Sequence, residues 1–163
     1  ELAVKDIKVK VDNRNMRPGE KYFEWEKKGV PIRIELGPKD ISKNEAVLVR
    51  RDLCTKETVS IGELSAGVAK TLEKIQSNLY ETAMKRLKDR TKSVDTWKDF
   101  EKEIEAGNFV LAHWSRDTSV EAEIKEATGA TIRCIPFDSK EEKGVCIKSG
   151  KPSDKRVLFA RAY

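Results

Sequence analysis

The longest helical pattern in the chain runs over residues 63–90. Apolar residues recur along it at spacings of three and four, which places them on one face of a helix. This stripe consists of Val68, Leu72, Ile75, Leu79, Ala83 and Leu87. The pattern lacks the strict heptads of a coiled coil. Because strand patterns and shorter helical patterns lie on both sides of it, we expect an α/β unit before this helix and another after it.

The part before the long helix has more strand patterns than helical ones. One helical pattern, residues 20–28, ends at Gly29, and Gly37-Pro38 is expected to stop a strand. Alternation of apolar and polar residues predicts strands at 7–11, 31–36, 45–51 and 57–61. The first residues have the pattern of a helix end, so we expect the sequence to begin inside a longer chain.

Two short helices and four strands are predicted after the long helix. Asp95 can cap the first helix, which ends at Gly107, and the second helix spans residues 119–128. The strands are predicted at 109–114, 131–137, 145–148 and 157–163. The whole order predicts a fold of the mixed α/β (α+β) class, with antiparallel strands in the small second unit.

Composition excludes some classes of protein. Charged residues make up 37% of the chain, compared with about 25% in typical domains, and the net charge is +5. This excess permits anionic partners but identifies none. No apolar run is long enough to span a membrane, and the N-terminus has no signal-peptide pattern. Three cysteines without short pairing indicate free thiols in a reducing compartment, so we expect a cytoplasmic protein.

Motifs that support catalysis are missing from the sequence. The single histidine, His113, lies in an apolar strand pattern and is expected to be a packed or capping residue. It cannot be placed in a Cys-His pair or a Ser-His-Asp set by spacing. The glycines stand alone at element boundaries and form no phosphate-binding loop. We therefore expect no catalysis by this chain on its own.

The segment 17–40 interleaves aromatic residues, carboxylates and cations. Aromatic and guanidinium faces stack on unpaired bases, while charged side chains read base edges. A carboxylate matches the two adjacent N–H donors of guanine, and Arg or Lys matches its O6 and N7 acceptors. An alternative stays open, in which the aromatic residues form the buried face of a helix and Glu26 and Arg33 form a surface ion pair.

Two parts of the sequence resemble one family. Residues 18–40, PGEKYFEWEKKGVPIRIELGPKD, resemble the anticodon-binding domain of prolyl-tRNA synthetases of the archaeal and eukaryotic-like type. The segments TIRCIPF (131–137), GKPS (150–153) and RVLFARAY (156–163) resemble the extra C-terminal domain of these enzymes. The segments occur in the family's order, and the resemblance covers essentially the whole chain.

The resemblance implies the C-terminal portion of a class II aminoacyl-tRNA synthetase, which joins proline to tRNA with ATP and Mg²⁺. It divides the chain into an N-terminally truncated, mixed-sheet anticodon-binding domain (1–64), a connecting helix (65–92) and a small C-terminal domain (93–163). The implied partners are the anticodon stem-loop of tRNA(Pro) and a catalytic domain upstream of residue 1. The parent enzyme is expected to be a homodimer without membrane association. This chain is expected to hold no cofactor and to be inactive alone.

The resemblance also implies which residues contact the anticodon. Proline codons begin with two cytosines, so the matching anticodon carries two guanines. Carried over position by position, the contacts fall on Glu26, Arg33, Lys39, Asp40 and Lys56. The first two agree with the chemical interpretation of the segment, whereas exposed lysines and a turn aspartate have ordinary structural roles as an alternative.

Many members of the family hold zinc in the C-terminal domain through four cysteines. The matching positions here are Ser115, Val120, Cys146 and Ser149, which provide one thiol. Serine and valine do not replace thiolates at a tetrahedral site, so we predict no zinc, with a site improvised from Cys146 and His113 as the alternative. Packing must then replace the metal. The candidates are Trp97, Phe100, Phe109, Trp114, Ile124, Ile135, Phe137 and Phe159, with Val120 filling the place of a ligand.

The last residue, Tyr163, is implied to reach toward the catalytic domain, although it can also simply end an edge strand. A second hypothesis for the chain is a freestanding RNA-binding or regulatory module that derives from a synthetase and lacks catalysis. Class II motifs encoded upstream of residue 1 would distinguish the two. Relatives specific for histidine, threonine or glycine share only the first unit, and the ending at 156–163 argues against them.

Overall fold

The computed structural model describes Leu2 and residues 7–162. The chain divides into two compact units, one within residues 1–83 and the other within residues 84–163. Both units combine helices with sheets, which confirms the predicted α/β class. Within the described part of the chain, no helix combines the length and apolar character needed to cross a bilayer.

The first unit is built on a three-stranded antiparallel sheet in the order β1-β2-β3. Its elements are α1 (Pro18–Lys27), β1 (Ile32–Glu35), α2 (Pro38–Ser42), β2 (Glu45–Arg50), β3 (Lys56–Ser60), a 3₁₀ turn (Ile61–Glu63) and most of α3 (Leu64–Asp89). The predicted long helix is thus present within one residue at each end, because a long amphipathic pattern is a strong signal.

The two faces of this sheet differ in character. Successive strand residues point to opposite faces, so Leu48 of β2 faces away from its neighbours Val47 and Val49. A methyl group placed at Gly67 of α3 would lie 3.7 Å from the Leu48 side chain and 3.9 Å from that of Val59. Helix α3 therefore covers the Leu48 face, and the Val49 face carries the charged residues of β1.

The second unit contains a four-stranded sheet in the order β4-β5-β9-β6, in which only β4 and β5 pair in parallel. Strands β7 and β8 pair with each other in a separate two-stranded sheet. The elements are β4 (Thr91–Ser93), α4 (Trp97–Glu105), β5 (Phe109–His113), α5 (Thr118–Thr128), β6 (Ala130–Cys134), β7 (Gly144–Val145), β8 (Pro152–Ser153) and β9 (Arg156–Arg161).

The core of the second unit lies between this sheet and helices α4 and α5. Phe100, Ile124 and Phe159 are completely buried, and the rings of Phe100 and Phe159 meet edge to face with centroids 5.1 Å apart. Trp97 and Trp114 pack against the same core. Five of the predicted packing residues therefore contribute to the core as expected, and Phe109 is half-buried.

Two of the predicted packing residues, Ile135 and Phe137, are exposed instead. The predicted strand 131–137 ends at Cys134 because its register against β9 shifts after Ile132 and because Pro136 has no N–H to continue a ladder. The predicted strand 145–148 is similarly short, since residues 147–149 form a turn after β7.

Two other local predictions are also wrong, the strand at residues 7–11 and the residue that caps α4. Residues 7–11 form no strand, and the Asp12 carboxylate that follows them is hydrogen-bonded to α1. Gly37-Pro38 does stop β1 but also starts α2, because proline is suited to the first turn of a helix. Thr96, and not Asp95, caps α4. The helix end predicted before residue 7 lies outside the described residues except at Leu2, and Tyr163 lies outside them too.

Candidate nucleic-acid interface

Four charged side chains from α1, β1 and β3 form a connected group, which we call the charged cluster: Glu26, Arg33, Glu35 and Lys56. Arg33 donates a hydrogen bond from Nε to Glu35 Oε1 at 2.9 Å and another from Nη1 to Glu26. Lys56 Nζ lies 3.1 Å from Glu35 Oε2. Three of the five residues predicted to contact the anticodon are thus linked, two of them directly and the third through Glu35.

The register of the sheet explains this arrangement. Arg33 pairs with Val49 of β2, and Val49 pairs with Lys56 of β3, so the two cations flank one residue on the same face. Their backbones are about 10 Å apart, which is twice the usual strand spacing. Glu35 lies two residues beyond Arg33 on the same strand and therefore on the same face, where it reaches both cations.

The cluster presents an acceptor and a donor side by side. The guanidinium of Arg33 lies 3.9 Å from the ring centroid of Tyr22 on α1, in the geometry of a cation–π contact. Since a guanidinium has five N–H donors, Arg33 keeps donors for a ligand after it engages both carboxylates. The Glu26 side chain is 50% exposed, so its carboxylate keeps acceptor capacity on the solvent side.

Lys39 and Asp40 lie on α2, directly after β1. Asp40 Oδ2 accepts a hydrogen bond from the backbone N–H of Gly37 at 2.8 Å, which caps the helix. Lys39 is exposed. Within residues 7–162, the hydrogen bonds and ion pairs of the charged cluster include neither residue, so the structure does not join these two predicted contacts to the other three.

The aromatic residues of α1 have separate environments. Trp25 donates from Nε1 to Asp12 Oδ2 at 2.8 Å, and Lys28 Nζ lies 4.7 Å from its ring centroid. Hydrogen bonds from Arg14 and then Trp25 hold the pKa of Asp12 well below its usual range. Trp25 thus anchors the preceding segment to α1, whereas Phe23 is 69% exposed. Helix α1 contains no buried residue, so the alternative of a buried aromatic face is wrong. The ion pair between Glu26 and Arg33 that the same alternative includes is present.

Sequence reasoning missed the central residue of the cluster, Glu35. Strand alternation places it on the same face as Arg33, so the sequence did contain a signal for that neighbour. The contact with Lys56 depends on the pairing of three strands, which no local pattern reveals.

Three of the four positions that match the family's zinc ligands lie close to one another. The hydroxyl oxygens of Ser115 and Ser149 are 3.5 Å apart, and both side chains hydrogen-bond Cys146. Burial raises the pKa of the Cys146 thiol, but hydrogen bonds from Ser149 and from the backbone of Ser149 and Lys148 outweigh this and lower the pKa to about 7. Val120, at the fourth position, is 4% exposed in the apolar core and has no donor atom.

This set of side chains does not fit zinc, because one thiol and two hydroxyls lack the donors of a closed tetrahedral site. His113 is buried, with Nδ1 3.1 Å from Ser153 Oγ and Nε2 3.8 Å from Glu142 Oε1. It is therefore packed, as the sequence predicts. Among the residues that the structure describes, no group of three or more His, Cys, Asp or Glu side chains is arranged for a metal ion.

Comparisons with known proteins agree with the two-unit division. Residues 1–71 match the family model described as an anticodon binding domain, and residues 97–163 match the model described as the C-terminal domain of prolyl-tRNA synthetase. The first unit thus resembles an anticodon-binding domain, and the second resembles a domain of an aminoacyl-tRNA synthetase.

Curated relatives match over the whole chain. A proline–tRNA ligase of Porphyromonas gingivalis is 45% identical over 163 residues, which are 99% of this chain and 33% of that protein. A proline–tRNA ligase of Phocaeicola vulgatus is 46% identical over 166 residues, which cover 99% of this chain and 34% of that protein. The chain thus belongs to the prolyl-tRNA synthetase family, as predicted, and it spans about a third of the length of the curated relatives it matches.

Proposed function

We propose that this chain recognises the anticodon of tRNA(Pro) as part of a proline–tRNA ligase, which converts ATP, proline and tRNA(Pro) to prolyl-tRNA, AMP and diphosphate. The observation that carries the proposal is the pairing of Glu26 with Arg33 in the charged cluster of an anticodon-binding domain. Relatives named as ligases match the whole chain, which favours this function over a freestanding regulatory module.

The pair has the chemistry needed to distinguish guanine from adenine. Along its Watson–Crick edge guanine presents the O6 acceptor followed by the N1–H and N2–H donors. An Arg33 donor beside the two Glu26 oxygens offers the complementary order, which is also that of cytosine. Adenine presents a donor and then an acceptor, so it would place its N1 lone pair against the Glu26 carboxylate. With adenine, the Glu26 carboxylate would lack a hydrogen-bond donor, and the cost of leaving a charged acceptor unpaired is the usual basis of strong discrimination between bases.

The other proposed contacts extend this recognition. The face of Arg33 that is turned away from Tyr22 is suited to stacking on an unpaired base. Lys39, Asp40 and Lys56 are proposed to contact neighbouring parts of the anticodon loop, with Asp40 also capping α2.

We assign the domains at residues 1–64 and 93–163 and a connecting segment at 65–92, most of which is α3. The second is a scaffold that functions without zinc, and Tyr163 contacts the catalytic domain of the same enzyme. That catalytic domain would bind ATP and Mg²⁺ in a cytoplasmic homodimer.

Equilibrium binding of fluorescent anticodon stem-loops tests the proposal. The stem-loop with both guanines is expected to bind more tightly than stem-loops in which either guanine is replaced by adenine. A well-formed two-point base contact is worth about 1–3 kcal/mol, so at least one replacement should weaken binding by about 5- to 150-fold. Equal affinity for the three stem-loops would overturn the proposal.

A further inference from the structure

Glu35 has an unusual position for a residue of an RNA-binding face. Its side chain is 17% exposed, and its carboxylate engages the two cations of the charged cluster at the same time, Arg33 at 2.9 Å and Lys56 at 3.1 Å. A carboxylate repels RNA phosphates, so in a surface selected for affinity alone it would be unfavourable.

Arg33 and Lys56 differ in how strongly contacts other than Glu35 restrain their side chains. The Arg33 side chain is 17% exposed and is also held by Glu26 and Tyr22, whereas the Lys56 side chain is 58% exposed. Lysine is a flexible point charge, and released from Glu35 it could follow any nearby phosphate. Phosphate contacts add affinity without sequence information, whereas base contacts specify.

We propose that Glu35 is a positioning residue that sets the specificity of this surface. It holds Lys56 away from phosphates and fixes the Arg33 guanidinium through Nε, so that both cations face base edges. This inference rests on the proposed recognition of the anticodon, and it assigns to Glu35 a role that acts through its two partners and needs no contact with RNA.

The test measures the affinity of the chain for the same stem-loops over a range of salt concentrations. In Glu35→Gln, the ratio of affinities for the guanine and adenine stem-loops should fall by about 5- to 10-fold. The adenine-substituted stem-loops should bind Glu35→Gln more tightly than they bind the unsubstituted chain, because the released Lys56 gains a contact with a phosphate. Each phosphate contact to single-stranded RNA adds about 0.7 to the slope of log K against log salt, so the slope should steepen by about that amount.

A matched control is Glu57→Gln, which removes the same charge one residue after Lys56. Glu57 is exposed and projects to the opposite face of the sheet, so ratio and slope should change little. In the double variant Glu35→Gln/Lys56→Met, the slope should return to its original value.

A second variant keeps the inference testable if Glu35→Gln does not fold. Because Lys56 is held away from phosphates, Lys56→Met should leave the salt slope unchanged, and a slope lowered by about 0.7 would overturn the inference. The inference would also be overturned if Glu35→Gln lowered the affinity for all stem-loops by the same factor and left the salt slope unchanged. That result is expected if Glu35 has a purely structural role. If the unsubstituted chain does not discriminate at all, the proposed function fails and this inference fails with it.

Discussion

Replacement of Glu26 by glutamine tests the role of its carboxylate with little change of shape. A carboxylate offers two acceptor oxygens to guanine N1–H and N2–H, whereas the amide offers one oxygen and turns an N–H₂ group toward the second donor. A two-point base contact is worth about 1–3 kcal/mol. Because the Glu26 side chain is 50% exposed and water competes for it, we expect the lower part of this range, about 1–2 kcal/mol or a 5- to 30-fold loss of discrimination.

The assay compares the affinities of Glu26→Gln for the stem-loop with both guanines and for the adenine-substituted stem-loops. The matched control is Glu101→Gln, which removes the same charge from an exposed position on α4 of the second unit. Circular dichroism establishes that both variants remain folded. If Glu26→Gln keeps the affinity ratio of the unsubstituted chain within about twofold, Glu26 does not read guanine and the reasoning is refuted.

Three further predictions concern the second unit. Phe159→Ala removes a completely buried ring that meets Phe100 edge to face, so urea unfolding should show a loss of about 3–5 kcal/mol, and a loss below about 1 kcal/mol would contradict this packing. Hydrogen bonds from Ser119 and then Lys151 lower the pKa of Asp117 to about 2, below its ordinary 3.8, so its contribution to stability should be complete above about pH 4 and lost as the pH falls toward 2. Asp117→Asn should flatten the pH dependence of unfolding in that window, and an unchanged dependence would show that Asp117 contributes nothing. Protein purified from zinc-containing medium should hold far less than one zinc per chain by elemental analysis, and stoichiometric zinc would disprove the account of Cys146 and its neighbours.

Long elements were predictable because many residues contribute to their pattern. The apolar stripe of α3 sets both ends of that helix within one residue, although it does not show that Val68 and Ile75 are buried while Leu79 and Leu87 are exposed. Burial depends on which other elements cover a face, and local periodicity contains no information on that.

Short elements were less predictable. Strands β4 and β8 have three and two residues and were not expected, because so few side chains cannot establish an alternation. Residues 7–11 show the opposite error, since they alternate well but form no strand in the structure. Alternation reflects only the polarity of the side chains, whereas a strand also requires a neighbouring strand to hydrogen-bond with its backbone.

The candidate site shows the same division between local and long-range information. Residue types predicted a carboxylate and a cation that read guanine, and the family resemblance assigned these roles to Glu26 and Arg33. The structure brings the two side chains into contact. Glu35 was missed because its importance comes from a second partner, Lys56, which lies 21 residues further along the chain on β3. Only the register of three strands brings that lysine to the carboxylate.

The most direct test of anticodon recognition by Glu26 replaces guanine with inosine, which keeps O6 and N1–H and lacks the N2 amino group. In the unsubstituted chain, inosine at the guanine read by Glu26 should weaken stem-loop binding by about 5- to 30-fold, because one charge-assisted hydrogen bond is lost. In Glu26→Gln the same replacement should change affinity by less than about twofold. If inosine weakens binding to both proteins by the same factor, or to neither, Glu26 does not receive the guanine amino group and the central claim is contradicted.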